Sequence, residues 1–289
     1  MLPGSLSLDG FIEFALERGR LTRAAVRTDR PRPRSIAPDI QAALTFVAGR
    51  VRLPDTPADV AMGAVAQFDF IVALTSDERR ETLQSVVVDL VSGAPCPSLS
   101  RRAWALDVEP DTQPDIGRRL TCPLTEAYDT AAKTLLDWSA PRIEHLQMLV
   151  TRRLRDEHAR LRLYYRAMVE DLQRRAERAG GERASELRAK VEGTRQEEQA
   201  KLSELGEKHR IRPSARLVAT RLLTYPRLFA TVHLDRKRVV RALELNWDPV
   251  IAQLRLPLCE ACLSATSHIE MTRGDRLLCP ACAADDRER

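Results

Sequence analysis

The chain has 289 residues, 44% apolar and 30% charged, with a formal net charge of +5. That length suits two or three compact units at roughly 100–200 residues each, and no apolar run approaches the roughly 20 residues that a membrane-spanning helix needs. MLPGSLSLDGFIEF lacks a basic region followed by a long apolar stretch, so no secretory leader is expected and a cytoplasmic location follows.

In chain order, the first expected element is a short helix in DGFIEFALERG, followed by PRPRSIAPDI as a Pro- and Arg-rich linker. Phe68–Leu74 and Leu83–Val91 are rich in Val, Ile and Phe and read as a strand pair across the polar turn Thr75–Glu81. Gly93 and Pro95 stop the second strand, and SLSRRAWALDVEPDTQP reads as a short strand with an exposed loop.

From Pro141 the period changes. Ile143, Leu146, Val150, Leu154, Leu161, Tyr165, Met168 and Leu172 form a narrow apolar seam on a long helix. Gly180–Gly181 interrupts it, the pattern resumes through Leu187, Val191, Leu202 and Leu205, and Pro213 ends it. An antiparallel helical hairpin is expected, serving as a spacer, a dimerising arm or a docking arm. After Pro213 the pattern is β: LFATVHL places Leu228, Ala230, Val232 and Leu234 on one face, and VVRALELNW follows across the turn Asp235–Arg236–Lys237.

The charge is uneven. Residues 210–241 carry 9 basic groups and 1 acidic group, more than the whole net charge. Arg supplies 41 of the 46 basic residues, so its abundance alone signals nothing, but a local excess over acids does. Arg212, Arg216, Arg221, Arg227, Arg236, Lys237, Arg238 and Arg241 are the candidate phosphate contacts. An aromatic content of 4% argues against an extended base-stacking surface.

Cys259, Cys262, Cys279 and Cys282 form C-x2-C-x16-C-x2-C, the spacing of a four-thiolate zinc site. His268–Thr272 and Asp275–Leu278 can pair across Arg273–Gly274 and carry the second knuckle back to the first. A redox motif would need a long helix after the cysteines, and only seven residues follow. Four protein thiolates leave no open coordination position, so the expected Zn2+ is structural. Leu263 and Ala283 stand where Gly often follows a knuckle. Cys96 and Cys122 read as ordinary thiols and His268 as an exposed hairpin residue.

No phosphate-binding G-x-x-x-x-G-K-[ST] loop, H-E-x-x-H, G-x-S-x-G or G-x-G-x-x-G is present, and Asp156–Glu157–His158 sits in a helical pattern rather than after a strand. Catalysis is not expected.

FIVALTSDERRETLQSVVVDLVSG, the helical RDEHARLRLYYRAMVEDL, a basic β segment ending in ELNWDP and the cysteine ribbon follow one another in this order. Over roughly residues 60–285 this resembles the C-terminal accessory region of bacterial Swi/Snf-type helicases related to the RNA-polymerase-associated RapA group. The resemblance implies a region that handles nucleic acid or couples a motor to a partner. The motor is absent, so a helicase or other ATPase would be a separate polypeptide.

The expected fold class is α+β, in four parts: a mixed α/β domain (1–135), a helical hairpin (136–209), a basic β unit (210–256) and a zinc ribbon (257–285). The expected function is non-enzymatic binding of nucleic acid, DNA rather than RNA. The rival is a protein–protein adaptor in which the helical arm docks a partner, and a metal-dependent nuclease would need clustered carboxylates. Convergence of the arginines on one exposed face favours the first; scatter favours the second.

Overall fold

The structure, a computed structural model, describes residues 21–48, 50–111, 121–236, 239–272 and 274–288. The helix expected over residues 9–19, together with Lys237, Arg238 and Arg273, lies outside them.

The described chain is α+β. It runs through β1 (Leu21–Val26), α1 (Ala37–Ala43), β2 (Thr45–Ala48), β3 (Arg50–Arg52), β4 (Asp59–Thr75), β5 (Arg79–Asp89), the short α2 (Pro97–Ser100) and β6 (Val108–Pro110). It continues with α3 (Leu124–Arg178), α4 (Gly181–Lys208), β7 (Arg212–Arg236), β8 (Val239–Asp248), β9 (Gln253–Leu254), β10 (His268–Met271), β11 (Leu277–Leu278) and α5 (Pro280–Glu288). Eight strands share one sheet with the central order β5-β4-β7-β1-β6, β3 and β8 pairing with β7 and β9 with β8. A second sheet has the order β11-β10-β2.

The four expected domains are regrouped. One compact unit takes residues 1–70, 84–135 and 217–289; the other takes 71–83 and 136–216. Strands from the expected first and third domains interleave, because β1 pairs in parallel with β7 from Leu21↔Thr220 to Ala25↔Thr224. The ribbon is tied in as well, since β10 pairs in parallel with β2. The boundary at 135/136 falls inside the continuous helix α3.

In the first unit, β7 changes partners along its length. Its pairing with β1 ends at Thr224, and its pairing with β8 begins at Leu228↔Trp247. Pro226 lies between; with no N–H to give, proline belongs where a ladder is interrupted. Each half of the strand covers its own core. Leu223 and Tyr225 pack with Ala24, Val26, Val65, Val87, Leu99 and Ala103. Leu228, Val232 and Leu234 pack with Ile36, Ile40, Leu245, Ile269 and Met271. The expected linker is therefore a core element: Ile36 and Ile40, one helical turn apart, bury fully at α1.

Between the two cores lies Arg227, with no exposed surface. Its Nη1 donates to both Asp89 carboxylate oxygens at 3.0 Å, and its Nη2 donates to the Tyr225 hydroxyl at 3.0 Å. That hydroxyl donates to Asp248 Oδ2 at 2.7 Å, and Asp248 also accepts from Arg255 at 2.6 Å. Gly63 of β4 backs the guanidinium so closely that a Cβ there would lie 2.6 Å from Arg227 Nε.

The second unit pairs α3 with α4. Gly181, at φ +59, makes the left-handed step that glycine takes without penalty. Of the expected seam Tyr165 and Val191 bury, with Ala176, Ala184 and Thr194 beside them, while Leu146 and Val150 bury in a cavity shared with Leu74 and Ser76 of the β4–β5 region. Glu157, Leu161 and Tyr164 lie across one groove from Lys208, Leu205 and Lys201, so the helices run antiparallel. Pro141 does not start the helix but sits inside it. The helix begins upstream, at Leu124. At the far end, buried His209 meets Glu157 Oε2 through Nε2 at 3.0 Å and stands 3.9 Å from Asp77. Asp77, in the β4–β5 turn, is also paired with Arg153.

Two outcomes follow from these buried and half-buried charges. Arg227→Ala leaves Asp89 buried and unpaired, a loss of about 3–5 kcal/mol, and Gly63→Ala, which displaces the same guanidinium, also lowers the urea midpoint; an unchanged midpoint in both contradicts this. The Ser76 hydroxyl, followed by Arg153, holds the Asp77 carboxyl below its ordinary value against desolvation. Its folded pKa being depressed, Asp77 contributes stability above about pH 4 that is lost as pH falls through the lower folded value. Asp77→Asn should therefore lower the thermal midpoint at neutral pH, and the difference from the parent should shrink as pH falls through the folded value; equal midpoints at neutral pH would contradict it.

Candidate metal centre and the basic segment

The four C-terminal cysteines come together as the spacing predicts: their Sγ atoms all lie within 4.8 Å of one another, with Cys262 and Cys279 at 3.9 Å. None is bridged, since a disulfide needs about 2.05 Å. The first knuckle turns at Leu263, whose N–H donates to Cys259 O at 2.9 Å and whose φ is +58. Leucine thus holds the left-handed conformation that a glycine usually supplies. The second knuckle opens α5: Ala283 N–H donates to Cys279 O at 2.9 Å, and the Ala283 methyl is fully buried against Cys259 and Leu278. Antiparallel pairing of β10 with β11, Glu270↔Leu278 and Met271↔Leu277, joins the two knuckles as expected.

The donor set is electrostatically matched to a cation. Burial pushes the Cys259 thiol up, but the backbone N–H groups of Cys262, Cys279 and Ala261 outweigh this and bring its pKa down to about 6. Cys262 is lowered by the Ser264 backbone. Cys282 is instead pushed up to about 12 by its neighbours Cys279 and Cys262. Four sulfurs this close cannot all ionise without a positive centre, and a metal ion supplies it. The arrangement can therefore hold one metal ion with no open coordination position.

The described arginines of the basic segment meet different partners. Arg227 is corrected outright: it is buried against Asp89 and cannot reach a phosphate. Arg241 pairs with Glu260 and donates to the Asp275 carbonyl, while Arg236 donates to the Met271 carbonyl. Glu260 in turn accepts from Leu277 N–H at 3.0 Å, so Arg241 helps fasten the first knuckle. Arg212 pairs with Glu207 at 3.3 Å. Arg216 is exposed, and Arg221 is half-buried with its guanidinium 5.9 Å from the Trp104 ring.

Sequence reasoning missed the Asp89–Arg227–Tyr225–Asp248–Arg255 chain and the exposed Trp104. The Tyr-Pro-Arg step inside a run of apolar residues was a usable sign of the first, and a Trp following two arginines in a polar loop of the second. No helix among the described residues is long and apolar enough to cross a membrane. Comparison of the chain with protein-family models, curated proteins and solved structures returned no match.

Proposed function

We propose that the chain is a non-enzymatic adaptor in which Zn2+ clamps the C-terminal knuckles and the helical hairpin docks a protein partner. The observation that carries it is the apolar surface left on α3. Met148, Leu163 and Tyr164 are 64%, 66% and 61% exposed, outside the seam that joins the helices. Beside Tyr164, a groove of about 480 Å3 runs between the helices, with Leu161 and Leu205 among its lining residues. Exposed large apolar and aromatic groups on a rigid helix suit partner recognition. The scatter of the arginines, most of them already engaged, argues against the nucleic-acid track expected from charge alone. From the resemblance we carry over only the class of partner, a helicase or other ATPase.

Zinc is the ion assigned to the four thiolates. A Zn–S distance of about 2.3 Å in a tetrahedron spaces sulfurs by about 3.75 Å, close to the 3.9 Å of Cys262 and Cys279. Elemental analysis of reduced protein should give about one zinc per chain. Cys259→Ser should release it and open the C-terminal segment to protease, because metal binding energy is folding energy in so small a unit. Protein purified without zinc would contradict the assignment.

Docking is tested with a photo-cross-linker at Leu163 in native complexes treated with nuclease. One protein should cross-link. Replacing Met148, Leu163 and Tyr164 with Ser should abolish that complex without changing the hairpin's helicity. A complex that dissolves with nuclease, or ignores the triple substitution, overturns the adaptor reading and restores the nucleic-acid one.

A further inference from the structure

On β7 the alternation Arg221, Leu223, Tyr225 points one row of side chains to one face. Leu223 and Tyr225 are buried there with Leu99 and Ala103. At the rim of that core the row reaches the surface at Arg221, and the covering segment reaches it at Trp104, the residue after buried Ala103. Trp104 is 59% exposed, and the Arg221 guanidinium stands 5.9 Å from its ring centroid. The tight turn that carries Trp104 is closed by Ala105 N–H donating to Arg102 O at 2.8 Å. Arg101 and Arg102 lead directly into this turn. Arg101 and Arg102 are both exposed.

The charge here is uncompensated. The nearest acids in sequence, Asp107 and Glu109, are held by Arg27 at 3.6 and 3.1 Å. Among the described residues no carboxylate pairs with Arg101, Arg102 or Arg221. An exposed indole beside arginines also suits a protein interface, where Trp and Arg are both enriched, but three cations without a carboxylate partner among the described residues favour a polyanion. Cations that gather around an indole suit a ligand that presents π faces and negative charges together.

We propose that Trp104, Arg101, Arg102 and Arg221 form a binding patch for single-stranded nucleic acid, with an unpaired base stacked on the indole and its flanking phosphates held by the arginines. A base inside a duplex cannot offer its face to the indole, so the patch discriminates against duplex. Stacking tolerates any base, so sequence preference is weak. The patch takes one phosphate contact, Arg221, from the charge-dense segment and two, Arg101 and Arg102, from outside it.

The test uses the full, zinc-loaded chain and fluorescently labelled oligo-dT and oligo-U of about 12 nucleotides, with a duplex of equal length as control. At low salt the single strands should bind and quench tryptophan fluorescence, and the duplex should bind more weakly. Three contacts give a log–log salt slope of about −2, at about −0.7 per phosphate on single strands. Trp104→Ala should weaken binding about tenfold, Trp104→Phe should retain most of it, and Arg101→Glu with Arg102→Glu should flatten the slope. A preference between the DNA and RNA arms names the source, and equal binding means that base and phosphate alone are read. Absence of binding to either strand, duplex binding as tight as single-strand binding, or affinity unchanged in both Trp104→Ala and the double Arg variant overturns the proposal. The double variant alters only exposed side chains and so remains informative if Trp104→Ala fails to fold.

Discussion

The buried pair of Arg227 and Asp89 is the constraint around which the β unit is arranged. Removing a guanidinium and a carboxylate from water costs several kcal/mol each, and their attraction repays it only when further hydrogen bonds satisfy the remaining atoms. The molecule largely meets that condition with a chain of partners drawn from three strands, and leaves Nε of Arg227, behind which Gly63 sits, without one. Asp89 comes from β5, Tyr225 and Arg227 from β7, and Asp248 closes β8, with Arg255 completing the charge balance. Two cations face two carboxylates, and the Tyr225 hydroxyl joins the pairs by accepting from one side and donating to the other. Every one of these bonds depends on the register of a strand. A slip by one residue would invert the side chains and strand a charge in the core. The network thus specifies the pairing of distant segments more than it adds net stability.

The C-terminal clamp answers a different shortage. Its own buried apolar group consists of Cys259, Leu278 and Ala283, too little to order a segment of this length without help. Two devices compensate. The four sulfurs converge on one point, and strand β10 borrows β2 as a neighbour, so the knuckles are attached to residues near the other end of the chain. Glu260 joins the devices: it accepts from Leu277 N–H within the ribbon and pairs with Arg241 on β8. Loss of the metal would therefore be felt in the second sheet as well as in the knuckles.

What was legible in the sequence was local. Cysteine spacing, the Gly-Gly turn and the heptad-like seam each express a constraint satisfied within a few residues, and Tyr165 and Val191 bury where the seam puts them. The alternation in LFATVHL likewise gives the buried row Leu228, Ala230, Val232 and Leu234. The failures were non-local. Pairing of Leu21 with Thr220 leaves no periodic trace in either segment, so the chain was divided into consecutive domains where strands interleave. Ile36 and Ile40 sit among prolines and arginines whose composition reads as linker, yet burial of two isoleucines one turn apart outweighs that composition.

The misplacement of Arg227 has a more general cause. A count of charges along a strand assigns every cation to solvent, which holds only while one face of the sheet is open. Phe229 is as buried as Leu228 beside it, so both faces of β7 are covered at this point and alternation no longer separates inside from outside. Once Arg227 is internal, and Arg236 and Arg241 are spent on the ribbon's carbonyls and Glu260, most of the local excess has become structural. A cation paired with a carboxylate contributes little field at a distance, because the two charges cancel. Arg101, Arg102 and Arg221 have no carboxylate partner among the described residues, and Arg221, on β7 itself, stands beside an exposed indole.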